Sequence, residues 1–220
     1  AVKRMPTSWV QRGPKEFEAE HQDSAERPWR DIGIVRKLNM MGFSHACQLK
    51  GVFRDAQSTF VVSSLATDGD LNTWCHRAGR PGRLHEQCMQ PIARQLFTAV
   101  RWLHDLGIAH GDLSLENVLL TQGNGGEPLV QLVDFGRATL SQWAPGKVGF
   151  SSAYHAPEMH EDLPEYDAFL SDAFALGTLL YAMAARDQPW DTANHRACPF
   201  YEHVRNVGFR RFLETRKLRH

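Results

Sequence analysis

The segment Ile108 to Leu120, I-A-H-G-D-L-S-L-E-N-V-L-L, constrains this chain more than any other. Ahead of it, Ile92, Leu96, Val100 and Leu103 recur at i, i+4 spacing with Phe97 alongside, which predicts an amphipathic helix over 89–106 that Gly107 ends. Behind it, 118–120 and 129–133 read as short apolar strands joined by the turn Q-G-N-G-G-E-P. A loop framed this way is held at both ends. It carries Asp112, an acid able to accept a hydroxyl proton, five positions before Asn117, an amide able to ligate a divalent cation.

The 220 residues are enough to bury a substantial core. The chain has 25 basic and 25 acidic residues, so it lacks the bulk charge that draws proteins to nucleic acid or anionic membrane. Partners must be argued from sites. Cys47, Cys75, Cys88 and Cys198 show no C-x-x-C spacing and are expected to be reduced thiols, with no zinc or disulfide framework. No apolar run approaches the length of a membrane span and no charged-then-apolar signal opens the chain. The expectation is an intracellular, cytoplasmic protein of unknown oligomeric state.

The opening A-V-K fits a strand, and 6–28 is polar and charged, a loop with one short helix. Ile32, Ile34, Val35 and Leu38 predict a helix over 29–41, although Gly33 inside it costs about 1 kcal/mol relative to Ala. Two apolar strands, 47–53 and 59–62, flank the polar turn 54–57 as a hairpin. The run S-S-L-A-T-D-G-D-L has the character of a link ending in a helix start, where Asp70 can act as a cap. Further on, Asp134-Phe135-Gly136 follows a strand seventeen residues after Asn117, Ala156-Pro157-Glu158 comes later, and S-D-A-F-A-L-G-T-L-L-Y-A-M predicts a buried helix.

Taken in order, A-V-K, H-G-D-L-S-L-E-N opening on His110, D-F-G, A-P-E and the S-D-A-F-A-L-G helix make the chain resemble a eukaryotic protein kinase catalytic domain of the Ser/Thr type. A narrower likeness is to the FIKK kinases of parasitic protists, through V-K-R-M-P followed by Trp9, with Ala1 in place of their name-giving Phe. The resemblance implies an α+β, bilobal fold: a small antiparallel-sheet N-lobe with an αC helix, and a mainly helical C-lobe. It implies one kinase domain truncated at both ends, with 1–66 a partial N-lobe and hinge and 67–220 the C-lobe. No G-x-G-x-x-G occurs in the sequence, so the 220 residues alone are expected to be unstable or inactive.

The same resemblance implies roles. Asp112 would be the catalytic base, Asn117 and Asp134 the Mg²⁺ ligands, and Lys3 the lysine on the α- and β-phosphates of ATP. Asp31 stands where the αC carboxylate partner of Lys3 is expected, but kinases carry Glu there, one methylene longer. Ala1 and Leu119 would sandwich adenine, the backbone of Ser64, Leu65 and Ala66 would bond it, Ser63 would guard the space behind, and Asp70 would sit at the rim. Ser151 would bond the base, and Asp172 would tie down the catalytic loop. Glu116 and Asp70 suggest a protein substrate with basic residues near the acceptor.

Gly111 replaces the usual Arg, so activity is expected without a phosphorylated activation segment, and Ser114 replaces the usual Lys. Two other readings remain open. Small-molecule phosphotransferases share H-G-D but lack A-P-E, and a pseudokinase would keep the fold as a binding scaffold.

Overall fold

The computed structural model describes residues 1–21, 24, 27–77, 83–146 and 152–215, which leaves Ser151 outside. The chain forms two compact units, 1–74 with 115–138, and 75–114 with 139–220.

In the first unit, β1 (Val2–Pro6), β2 (Leu49–Arg54) and β3 (Ser58–Ser63) form an antiparallel sheet in the order β1-β3-β2, with Lys3 opposite Val61. Asp55 closes the β2–β3 turn: its Oδ1 accepts the Ser58 N–H at 2.6 Å and the Gln57 N–H at 2.8 Å. Those two donors hold its carboxyl below the usual range.

Between β1 and β2 the stretch expected to hold one short helix holds two, α1 (Ser8–Gln11) and α2 (Pro14–Glu20). Neither is long enough to show a helical period. They are held by contacts distant in sequence pattern, with Val10 and Phe17 buried and the Trp9 and Phe17 rings 5.7 Å apart. Helix α3 (Pro28–Met40) follows, with Pro28 in its first turn and Ile34 and Leu38 buried. A Cβ on Gly33 would meet nothing within 4 Å. Gly33→Ala is therefore expected to raise the unfolding free energy by about 0.5–1 kcal/mol, read as a higher urea midpoint at unchanged m-value.

A second antiparallel sheet, order β4-β5-β6, joins β4 (Gly69–Asp70), β5 (Val118–Gln122) and β6 (Pro128–Leu132). Residues 45–47 strap onto β6, since Leu132 N–H donates to His45 O at 2.8 Å and His45 Nδ1 meets Val130 O at 2.9 Å. Asp70 starts α4 (Leu71–Arg77), its Oδ1 accepting the Thr73 N–H at 2.6 Å.

The second unit is built on α5 (Arg83–Asp105) and α6 (Ala168–Ala185). The predicted stripe of α5 is buried, Ile92, Leu96 and Leu103 completely, whereas Phe97 is 51% exposed. Gly107 ends the helix at φ 72°, with Ile108 N–H on Leu103 O and Gly107 N–H on His104 O. Asp167 caps α6 by accepting the Phe169 and Leu170 N–H groups at 2.9 and 3.0 Å.

Helix α6 is the one helix among the described residues that is long and apolar enough to cross a membrane, contrary to the expectation that no apolar run approaches that length. Ten of its residues, Asp172 included, are buried in the folded chain, which accounts for its composition as that of a core helix. A two-stranded sheet, β7 (Trp143–Pro145) with β8 (Glu165–Asp167), precedes it. Trp190 packs against Phe174 and Tyr201 and donates Nε1–H to Ala153 O at 2.9 Å, anchoring α7 (Pro199–Val207), and α8 (Phe209–Thr215) buries Phe212. This is the α+β composition expected, with one small antiparallel sheet beside α3 and a mainly helical second unit.

Candidate active site

A cleft of about 380 Å³ opens in the first unit. Strand β1 contributes Val2 and Lys3 beside Ala1, and α3 contributes Asp31, Ile32 and Val35. The link after β3 contributes Ser63, Ser64, Leu65 and Ala66, while the β5–β6 sheet brings Asn117, Leu119, Val133 and Asp134. Every residue expected to meet a nucleotide thus lines one cavity, except Asp70, whose carboxylate caps α4 instead.

The geometry follows from local chemistry. Pro28 opens α3, which places Asp31 in its first turn, where the helix dipole favours an acid. Asp31 Oδ2 lies 3.7 Å from Lys3 Nζ, so the shorter side chain still closes the pair. Its other oxygen, Oδ1, accepts the Phe135 N–H at 3.0 Å. Asp134 is held at φ 62°, ψ 69°, a left-handed conformation that short polar side chains tolerate by bonding locally, here from Gly136 N–H to Oδ1 at 3.3 Å. Phe135 is completely buried and pins the turn.

Ser64 N–H is already on Gln48 O at 2.8 Å, and its Oγ accepts the Gln48 N–H at 2.9 Å. Cys47, Val61, Leu132 and Val133 complete an apolar wall that no sequence motif marks. Only the position of Val133 beside D-F-G could have signalled it. Burial pushes the Cys47 thiol up against the opposing hydrogen bond with Ser64, so this cysteine is protonated wall and not a nucleophile.

In the second unit Asp172, 2% exposed, organises the loop before Leu113. Its Oδ2 accepts the His110 N–H at 2.7 Å and meets His104 Nε2 at 2.9 Å, and its Oδ1 accepts the Gly111 N–H at 2.9 Å. The ring of His104 stacks on Phe169 at 4.4 Å. The Asp112 N–H meets His110 Nδ1 at 3.3 Å, and the His110 side chain is fully buried. Gly111 sits at φ 75°, a conformation that costs glycine little. Glu158 Oε1 accepts from Ser171 Oγ at 3.4 Å, which ties A-P-E to α6, and Glu116 is exposed.

Comparison with known proteins identifies the family. Residues 12–214 match the family described as "Protein kinase domain". The serine/threonine-protein kinase RAD53 of Saccharomyces cerevisiae is 29% identical over 175 residues, covering 73% of this chain and 20% of that protein. NUAK family SNF1-like kinase 2 of Rattus norvegicus is 32% identical over 170 residues, 76% of this chain and 25% of that protein. Testis-specific serine/threonine-protein kinase 3 of Mus musculus is 33% identical over 171 residues, 74% and 58% of the two chains. The chain spans between about a fifth and three-fifths of the length of these relatives. With a family match over nearly its whole length, the chain belongs to the protein kinase family.

Proposed function

We propose that the chain transfers the γ-phosphoryl group of ATP to a Ser or Thr hydroxyl of a protein. The observation that carries this reading is the convergence of Lys3, Asp31, Asn117 and Asp134 on one cleft whose other walls are apolar. The donor set suits Mg²⁺: an amide and a carboxylate offer hard oxygen ligands, and a cation of this kind is commonly completed by phosphate oxygens and water. When bound, Mg²⁺ supplies charge neutralisation on the phosphates.

The chain's own groups do the rest. Asp31 fixes the Lys3 ammonium for the α- and β-phosphates, and Leu119 with Ala1 flanks the base. With Ser64 N–H already occupied, the backbone of Leu65 and Ala66 is the remaining polar edge for adenine. Asp112 orients the acceptor hydroxyl and takes its proton as the bond to phosphorus forms. The test is thermal shift of the whole protein with ATP, with and without Mg²⁺. Stabilisation that needs both supports transfer, and no shift with either would favour a scaffold.

Regulation follows from Gly111. Without a cation at that position, a phosphate on the segment has no partner in this loop. The Thr139 Oγ1 and Ser141 Oγ are engaged in turns, accepting the Ser141 and Trp143 N–H groups at 3.2 Å. Thr139→Ala and Ser141→Ala are expected to retain activity within about threefold. Strong stimulation by a phosphate at either site would contradict this.

Glu116, exposed on the loop that carries Asn117, favours a basic residue near the acceptor. Removing Arg or Lys from a peptide substrate is expected to reduce kcat/KM by about two- to fivefold, as one partly screened charge pair allows. A peptide array indifferent to basic residues would refute it.

A further inference from the structure

Helix α3 presents two consecutive side chains to the turn that holds Asp134. Asp31 Oδ1 takes the Phe135 N–H at 3.0 Å, and Arg30 Nη1 donates to Ala138 O at 3.2 Å. These are the two ends of the 3₁₀ turn Phe135–Arg137, and both Phe135 and Ala138 are completely buried. A non-glycine residue persists in a left-handed conformation only where its surroundings over-determine it. Asp31 restrains the start of the turn at Phe135, and Arg30 adds a restraint at its end, where the Ala138 N–H also returns to Phe135 O at 3.1 Å. The other guanidinium nitrogen, Arg30 Nη2, lies 3.5 Å from Glu18 Oε1 on α2. The planar fork is thereby oriented by α2 through one nitrogen and spent on the turn with the other, a fixed two-point geometry that the compact, rotatable ammonium of a lysine lacks.

We propose that Arg30, which belongs to none of the sequence motifs, is a positioning residue: it holds the Asp134 carboxylate in its metal-ligating orientation, with Glu18 as its buttress. The proposal rests on the reading of Asp134 as a Mg²⁺ ligand. It gives the two short helices ahead of α3 a function in the site, since Phe17, buried in α2, fixes the helix that carries Glu18.

The test measures binding of a fluorescent ATP analogue by the whole protein, with Mg²⁺ titrated and also withheld. Arg30→Ala is expected to raise the half-saturating Mg²⁺ concentration about five- to tenfold, the effect of one hydrogen bond from a charged donor, while metal-free nucleotide affinity stays within about twofold. Amide exchange across 135–138 should quicken in the same variant, and Arg30→Lys should recover less than half of the loss. Glu18→Gln, a change at a half-exposed side chain, shifts the Mg²⁺ requirement in the same direction by about two- to threefold. Arg30→Ala that melts lower with an unchanged Mg²⁺ requirement would overturn the proposal and make Arg30 merely structural. Wild-type protein whose nucleotide binding ignores Mg²⁺ would overturn the assignment of Asp134 itself, and this proposal with it.

Discussion

Asp112→Asn is expected to lower kcat by about a thousandfold and to leave nucleotide affinity within twofold, because a positioned general base contributes roughly 10²–10⁴ in rate. The amide keeps the shape of the side chain and can still orient a hydroxyl, but it cannot take the proton. Its backbone anchor is untouched, since the bond to His110 Nδ1 at 3.3 Å comes from the Asp112 N–H. Nucleotide binding serves as the control, because the residues lining the cleft, Lys3 and Asp134 among them, are unchanged in this variant. Phosphorylation of a peptide, followed beside binding of a fluorescent nucleotide, separates the two quantities. A fall of less than tenfold would remove Asp112 from the chemistry.

Asp172→Ala is expected to cost about 3–5 kcal/mol of folding stability, the range for stripping the partner from a buried polar network. Three groups would lose their acceptor at once: the His110 and Gly111 N–H groups and the ring of His104. Water cannot readily replace it at a site 2% exposed. Asp172→Asn should cost less, because one amide oxygen can still accept. Urea unfolding of the variants measures the difference, and a loss below 1 kcal/mol for Asp172→Ala would show that the loop does not depend on this carboxylate.

Strongly periodic or motif-bearing segments were legible in the sequence. The stripe of α5, the hairpin of β2 and β3, the helix bearing Asp31 and the buried α6 all follow from local pattern, because burial of one face imposes a period on the residues. What was missed had no such pattern. Helices α1 and α2 are held by Trp9 and Phe17 packing, and four residues give no period to read. The pairing of β7 with β8 joins Trp143 to Asp167, twenty-four residues apart, through backbone bonds that side-chain identity does not encode. Asp70 had two roles open from sequence, and its bond to Thr73 N–H shows the cap.

The sequence by itself determined the family and the list of chemical groups, since the spacing of Asp112, Asn117, Asp134 and Glu158 is a one-dimensional signal. Tertiary structure alone decided which groups share a cavity: within the first unit, Asn117 and Asp134 line one cleft with Lys3 and Asp31. Sequence left it open whether the shorter aspartate could reach Lys3 at all; the answer is a distance, 3.7 Å from Asp31 to Lys3, set by how α3 packs. It was likewise folding that turned Arg30 toward Ala138, because a hydrogen bond to a backbone carbonyl across 108 residues leaves no mark on either residue's identity.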